Sequence, residues 1–438
     1  MRIDQLSNTP FSIPYRFRVM FLLCGLAMLT YLDRICISIV GVRIKEDLHL
    51  NNEQFGWVLA AFALAYAVFE IPSGMLGDRI GPRKVFIRIV LLWSLFTALT
   101  GMVNGLIGLL IVRFLFGIGE SGTYPNAILV VSRWFPVNET SRVLSVVGIG
   151  SQIGAAIAPV IIVPIAAAYG WRVPFFVLGA IGILWVMVCY WWFRDFPSQM
   201  KSMSAPEKKL IETSCRHEEK QHQVPFKLIF RNKTLWPLMM MYFCCQWAQY
   251  FVVAWMPVYL QEGRGFSENS MKNITTLVFI VGITGFLVGG AFGDYFLKLY
   301  GLKKGRRLTG MLGLGSCGFF FLIAAISTNN TLTVICLIIA NFSFAFSVMT
   351  SYAVCADIGR NNVGTVTGAM NFFGQMGAFF LAMIFGKIVQ VTNNFEYPMY
   401  VLAIVLIAGC LLWLAIDPEK TLPVIEKVPK PEIQSSEP

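Results

Sequence analysis

The chain has 438 residues, of which 56% are hydrophobic and only 13% are charged, and its mean hydropathy is +0.65. A composition this apolar excludes an ordinary water-soluble enzyme or regulatory domain. The formal net charge of +11 could indicate a nucleic-acid partner. However, most Lys and Arg residues lie in short clusters between long apolar stretches. We therefore infer that they set the orientation of the chain in the membrane, and we expect no nucleic-acid binding.

Apolar stretches of about 20 residues, the length that crosses a bilayer as a helix, recur along the whole chain. We predict an all-α membrane protein with twelve transmembrane helices, at 17–40, 54–76, 85–104, 106–131, 143–168, 173–193, 234–260, 272–299, 307–327, 331–356, 364–391 and 397–416. They form an N-terminal six-helix half at 1–193 and a C-terminal six-helix half at 234–417, separated by a cytoplasmic central loop at 194–233. The polar tail at 418–438 is predicted to be disordered and cytoplasmic.

A short charged turn relates the two halves to each other. The segment 74–84 reads G-M-L-G-D-R-I-G-P-R-K, and its G-x-x-G-D pattern returns at 290–294 after a similar apolar span. Two such halves, each crossing the bilayer several times, are typical of a transporter. The loops on the side of the central loop are rich in Lys and Arg, whereas 104–106 and 327–331 have none. The positive-inside rule therefore predicts that both termini are cytoplasmic.

Charged residues inside the predicted spans are few and lie mainly in the N-terminal half. Asp33 and Arg34 belong to helix 1, Glu70 to helix 2, and Arg113 and Glu120 to helix 4. A charge at the bilayer centre costs on the order of 3 kcal/mol, so each needs a partner, a cavity or a function. Either ion pairs lock helices 1 and 4 together, or an arginine binds a substrate anion while a carboxylate carries a proton. Two cation–carboxylate sets in one half favour the second interpretation.

Other residue types limit the chemistry further. The three histidines all lie in loops, so a proton carrier inside the membrane must be a carboxylate. We find no nucleophile–base pair, no Cys/His cluster for a metal and no nucleotide-binding loop, and we expect neither an enzyme nor a cofactor beyond the coupling proton. Polar and aromatic residues suited to a hydroxyl-bearing ligand lie at cavity-like positions of the spans: Tyr31, Tyr66, Gln152 and Asn371.

Several segments resemble the major facilitator superfamily. The turn at 74–84 is similar to its signature loop between helices 2 and 3. The segments 31–34 (Y-L-D-R), 113–120 (R-F-L-F-G-I-G-E) and 124–136 resemble the anion:cation symporter family within it. That family includes bacterial carriers of hexuronates, galactonate and glucarate and the animal sialic-acid carriers.

The resemblance implies roles for individual residues. Those expected to bind the substrate, with Arg34 on its carboxylate, are Arg34, Tyr31, Tyr66, Gln152 and Asn371. Those expected to couple transport to protons are Asp33 and Glu120, with Arg113 as the partner of Glu120. Those expected to form the cytoplasmic gate are Asp78, Arg79 and Arg83.

We therefore predict a proton-coupled symporter that imports an organic anion, a sugar acid or related carboxylate, by alternating access. It is expected to be a monomer in the inner membrane of a bacterium, with the anion, the proton and lipid as its partners. Thr350 and Ser351 ahead of Tyr352, and an aromatic run in helix 11, leave room for a less polar anion. Two alternatives stay open: an exporter or exchanger of an anion such as a siderophore or phosphorylated metabolite, and a non-transporting receptor.

Overall fold

The computed structural model describes residues 13–136, 139–200, 203–214, 232, 234–359 and 363–421. Within these ranges the secondary structure is helical and contains no β-strand. The N-terminal half has the helices α1 (Tyr15–Ile39), α2 (Gly41–Asp47), α3 (Asn52–Ile80), α4 (Pro82–Thr100), α5 (Leu106–Glu120), α6 (Thr123–Trp134), α7 (Thr140–Tyr169) and α8 (Val173–Trp192). The short α2 lies between the first two spans, and α5 and α6 together form the fourth.

The described residues of the central loop form a 3-10 turn, Pro197–Gln199, and a surface helix, α9 (Ala205–Ser214). The positions 201–202, 215–231 and 233 of the predicted loop, and the predicted disordered tail from 422 onward, lie outside the described residues. The C-terminal half has the helices α10 (Trp236–Tyr250), α11 (Glu268–Ile326), α12 (Asn330–Gly359), α13 (Val363–Thr392) and α14 (Glu396–Leu412). Between α10 and α11 the seventh span continues through two π-helical turns, Phe251–Trp255 and Tyr259–Gly263, on either side of Met256–Val258.

The number of spans agrees with the sequence prediction. Eight helical segments are long and apolar enough to cross a membrane. One of them, α11, consists of two spans that meet at Gly301, whose φ of 77° lies in the left-handed region that favours glycine. With α4, the seventh span and α14, the described helices account for twelve spans in two sets of six, and the predicted all-α membrane fold is confirmed.

Glycines bring the helices of the site close together. A Cβ on Gly117 of α5 would lie 2.6 Å from the carbonyl oxygen of Phe62 on α3, so only glycine permits this approach. A Cβ on Gly154 of α7 would lie 2.2 Å from the carbonyl oxygen of Met28 on α1. Close packing of small residues is the usual basis of helix association in membranes. Here it places Glu120, at the end of α5, beside α1 and α3.

The two halves meet along α3 with α13 and along α7 with α11. Hydrogen bonds between the halves concentrate at the end of the bundle that carries residues 40–52 and 259–268, which we call the sealed end. There the Ser38 hydroxyl donates to the Ala254 carbonyl at 2.6 Å, and the Asn52 amide donates to Gln390 Oε1 at 3.1 Å. The halves also approach closely here, because a Cβ on Gly386 would lie 2.4 Å from the carbonyl oxygen of Asn52.

Candidate functional site

Arg34 on α1 lies at the centre of the site. Its Nε donates to Glu120 Oε1 at 3.1 Å, and its Nη2 contacts the same oxygen. The guanidinium carbon lies 5.0 Å from the ring centroids of Tyr31 and Phe62 and 5.1 Å from that of Tyr66. Such cation–π contacts stabilise a guanidinium without using its N–H groups. Arginine has five N–H donors, so the fork retains the capacity to hold a second anion.

The Phe62 ring contacts both this arginine and the second one, Arg113 on α5. The Arg113 guanidinium carbon lies 5.1 Å from the Phe62 centroid and 4.6 Å from the Phe116 centroid. The sequence interpretation gave Glu120 the partner Arg113, whereas its direct contact in the structure is Arg34. Phe62 was not identified from the sequence, although it lies one turn before Tyr66 on the same face of α3.

Asp33 and Arg34 are adjacent but face different surroundings, as their angular separation on a helix predicts. The Asp33 side chain is buried at 3% exposure and lies within electrostatic range of Arg113 and Glu120, next to Trp93 of α4. It therefore faces the packed interior of the N-terminal half, whereas Arg34 faces the seam between the halves. The structure brings Glu120 within electrostatic range of both guanidiniums, and Asp33 within range of Arg113.

The C-terminal half contributes a chain of polar side chains opposite Arg34. Tyr242 and Tyr352 have their hydroxyl oxygens 3.1 Å apart, and the Tyr352 hydroxyl donates to Asn371 Oδ1 at 3.4 Å. The Asn371 amide nitrogen in turn donates to Glu70 Oε1 at 3.4 Å, across the seam between the halves. Tyr352 thus supplies an aromatic hydroxyl from the tenth span, and the predicted site residue Asn371 lies within this chain.

Gln152 of α7 also lies at the seam. Its Oε1 is buried, and a Cβ on Gly282 of α11 would lie 3.7 Å from that oxygen. The preceding residue, Ser151, has its hydroxyl oxygen 2.5 Å from that of Tyr124. The site therefore draws polar groups from α1, α3, α5, α6, α7, α10, α12 and α13.

The predicted gate residues lie at the opposite end of the bundle from the sealed end. Asp78 and Arg79 are exposed in the last turn of α3. The Arg83 backbone amide donates to Asp195 Oδ1 at 2.7 Å, and its guanidinium donates to the Tyr190 carbonyl. Arg83 thus connects α4 to the end of α8 within the N-terminal half, and a gating role for these three residues stays a prediction.

Two ion pairs join the halves at the sealed end, and the sequence analysis did not identify them. Arg43 donates to Glu268 through Nε at 3.0 Å and Nη2 at 2.7 Å, a bidentate pair. Lys45 Nζ lies 2.8 Å and 2.5 Å from the two carboxylate oxygens of Glu262, and the lysine side chain is only 8% exposed. We call these two pairs the outer latch. No local pattern predicts them, because the partners are more than 200 residues apart in the chain.

Asp47 beside the latch makes an ion pair within one half. Its Oδ2 accepts from Arg172 Nη1 at 2.7 Å and from Trp171 Nε1 at 3.2 Å. These hydrogen bonds hold the pKa of the Asp47 carboxyl below its usual value. The group therefore stays ionised at neutral pH. Its ion pair lies at the sealed end but within one half, so it can serve as a control for the outer latch.

Removal of one latch carboxylate is expected to open the sealed end. Glu262→Gln leaves the buried Lys45 ammonium without its ionic partner, and because Glu262 itself is partly exposed the expected cost is about 1 kcal/mol or more. Spin labels at the exposed positions Glu46 and Asn269, in a protein without its native cysteines, should then show a longer inter-half distance than in the parent. Asp47→Asn, which breaks a pair within one half, should leave the distances unchanged. An unaltered distribution in Glu262→Gln would show that the latch does not hold the halves together.

A bundle of twelve spans in two halves, with buried charges at the seam, is the architecture of an alternating-access transporter. The model of the Major Facilitator Superfamily matches residues 23–382, and the chain belongs to that family. It is 30% identical to a probable sulfoacetate transporter of Cupriavidus necator, over 94% of this chain and 96% of that one. It is also 30% identical to a hexuronate transporter of Bacillus subtilis, over 84% and 87%. A probable L-galactonate transporter of Escherichia coli K12 is 28% identical, over 90% and 88%.

A solved structure shares the fold. The bacterial homologue of the human lysosomal transporter Spinster, in its inward-facing and occupied conformation, matches with a TM-score of 0.72 at 20% identity, over 92% of this chain and 97% of that one. These comparisons confirm the resemblance stated from the sequence. The protein is a multi-pass membrane transporter and not an enzyme.

Proposed function

We propose that this chain is a proton-coupled symporter that imports an organic anion by alternating access. The observation that carries the proposal is the contact between Arg34 and Glu120 in the core of the bundle. An arginine fork suits a carboxylate bidentately, and in this structure one internal carboxylate occupies it. A substrate carboxylate that binds Arg34 displaces Glu120 from the guanidinium. The displaced Glu120 has lost its cationic partner, and this favours its protonation.

Glu120 is completely buried, and a carboxylate in such a place is stable as an anion only with a cationic partner. When the substrate anion binds Arg34, protonation of Glu120 keeps the site close to neutrality. Asp33, near Arg113, is the second carboxylate that can take a proton in the same way. Substrate and protons therefore stabilise each other in the site, which is the thermodynamic requirement for symport.

The surroundings of Arg34 favour a polar, hydroxyl-bearing anion. The aromatic run of the eleventh span packs inside its own half, since Phe373 lies against Trp236 at 5.5 Å and Phe380 against Phe243 at 5.9 Å between ring centroids. The groups that face Arg34 across the seam carry hydroxyls and amides. We assign substrate contacts beyond the carboxylate to Tyr31, Tyr66, Gln152 and Asn371. The names of the relatives, which include hexuronate and galactonate transporters, support a sugar acid or related carboxylate.

The distribution of Lys and Arg supports cytoplasmic termini in a bacterial inner membrane. In that orientation the sealed end is periplasmic, and the described contacts correspond to an inward-facing carrier. The gate that closes the cytoplasmic end in the other state is assigned to Asp78, Arg79 and Arg83. We propose a monomer, divided into halves at 1–193 and 234–417 by the central loop.

Uptake into proteoliposomes tests the function. Purified protein in vesicles with an acidic exterior should accumulate a labelled hexuronate or aldonate above its external concentration, and a protonophore should abolish the accumulation. Exchange that needs internal anion and ignores the pH gradient would support the exchanger instead. Binding without any flux would support the receptor.

A further inference from the structure

Glu70 on α3 is a buried carboxylate without an assigned role. It is 5% exposed, and its Oε1 accepts the single long hydrogen bond from Asn371 of the opposite half. Among the residues that the structure describes, Oε2 has no hydrogen-bond partner. A buried ionisable side chain in a membrane span costs free energy, and the cost is greater when one of its oxygens has no hydrogen bond. Helix packing alone does not explain why such a group is present, so it indicates a function.

The position of Glu70 places it in the substrate site. It lies one helical turn beyond Tyr66, which contacts Arg34, on the side away from the sealed end. It is within electrostatic range of Arg34 and of the Tyr352 hydroxyl. A ligand anchored by its carboxylate on Arg34 can therefore reach Glu70 and Asn371 with its far end.

The charges of the site are unbalanced. The described residues in the core of the N-terminal half include three carboxylates, Asp33, Glu70 and Glu120, and two guanidiniums, Arg34 and Arg113. With all five ionised, the set has one negative charge in excess, and a bound monoanion adds another. Protons on Asp33 and Glu120 restore neutrality for a monoanion, whereas a dianion needs a third proton.

We propose that Glu70 and Asn371 form a distal subsite that selects monoanions with a hydroxyl or amine donor at the end remote from the carboxylate. The proposal rests on the proposed function, since it assigns the substrate class of the same site. The free Oε2 accepts the donor of the ligand, and Asn371 offers an amide that can both donate and accept. A second carboxylate or sulfonate at the same place would share a desolvated site with the Glu70 carboxyl, and no cation contacts Glu70 there among the described residues. The two acidic groups cannot both be ionised, so the second anion binds only together with a further proton, and this cost is a repulsive specificity element.

The subsite separates ligands that are otherwise alike. An aldonate and the aldarate of the same carbon chain differ only in the distal group, a hydroxymethyl in the first and a second carboxylate in the other. Like charges in a site of low effective dielectric repel strongly. We therefore expect the protein to bind the aldonate at least about tenfold more tightly than the aldarate at pH 7.

The experiment compares this ratio between the full-length protein and two variants, by equilibrium binding of galactonate and galactarate in detergent. Glu70→Gln keeps the shape and removes the charge, and it should reduce the preference at least about tenfold, mainly by improving galactarate binding. Glu53→Gln, in the first turn of the same helix and about 25 Å away along its axis, should keep the parental ratio. A thermal unfolding scan checks that both variants are folded.

Each outcome has a definite meaning. A parental preference for galactonate that Glu70→Gln leaves unchanged would overturn the subsite and leave the proposed transport function intact. Equal or tighter parental binding of galactarate would do the same. If the parent protein binds neither acid, both the distal subsite and the assignment to sugar acids are wrong.

Discussion

Arg34→Ala is expected to abolish substrate binding and uptake. The guanidinium is the cation in direct contact with Glu120, and it lies among three aromatic rings at the seam between the halves. The truncation removes the fork that holds the substrate carboxylate, so binding should fall by at least about a hundredfold, equivalent to about 3 kcal/mol. Arg34→Lys keeps the charge but loses the bidentate geometry, and intermediate binding is expected. Titration calorimetry on purified protein measures both.

A second variant separates anion binding from folding. Arg34→Ala leaves the fully buried Glu120 carboxylate without its cation, and this alone is strongly destabilising. The double variant Arg34→Ala/Glu120→Gln removes both charges and should recover most of the thermal stability of the parent. It should still fail to bind substrate. Normal binding by the double variant would mean that the pair only locks α1 to α5 and that the anion is held elsewhere.

The fold could be predicted from the sequence because the bilayer imposes a strong pattern. Apolar stretches of spanning length, the repeated G-x-x-G-D turn and the position of Lys and Arg define the spans and the two halves. The bounds of individual helices could not be predicted in the same way, because irregular backbone inside a span has no hydropathy signal. The fourth span is divided between Glu120 and Thr123, and the seventh includes two π-helical turns. The eighth and ninth spans join at Gly301 without a helix break long enough to separate them.

The candidate site was predictable to the extent that it consists of charges in apolar spans. Asp33, Arg34, Arg113 and Glu120 stand out in the sequence, and the structure brings them together. Which arginine contacts Glu120 was not predictable, because the contact joins α1 to α5 over 86 residues of chain and depends on how these two helices pack.

Contacts between the halves were the other part that the sequence could not predict. The outer latch and the hydrogen bond from Asn371 to Glu70 join residues far apart in the chain. Helical periodicity orders residues within one element only. The sequence analysis therefore found Glu70 as an interior charge without finding what it faces.

Glu120→Gln is expected to uncouple transport from the proton gradient. The amide has nearly the shape of the protonated carboxylic acid and cannot release a proton. Substrate should bind Arg34 without displacing an ionic partner, so binding in detergent should persist and become less dependent on pH. Accumulation driven by an acidic exterior should be lost, at least about a hundredfold below the parent, whereas counterflow between equal pools should continue. Glu53→Gln, at the sealed-end start of α3, should accumulate substrate normally.

The same variant addresses the stoichiometry. If Asp33 and Glu120 each load a proton with a monoanion, one net positive charge moves inward per cycle. An inside-negative potential then contributes about 2.3 kcal/mol per 100 mV, and substrate should evoke an inward positive current on a solid-supported membrane. Glu120→Gln should lose that current, and Asp33→Asn should reduce it less, because Asp33 lies near Arg113 inside the N-terminal half. An absent current in the parent contradicts two protons per monoanion, and pH-driven accumulation by Glu120→Gln would transfer the coupling role to another carboxylate.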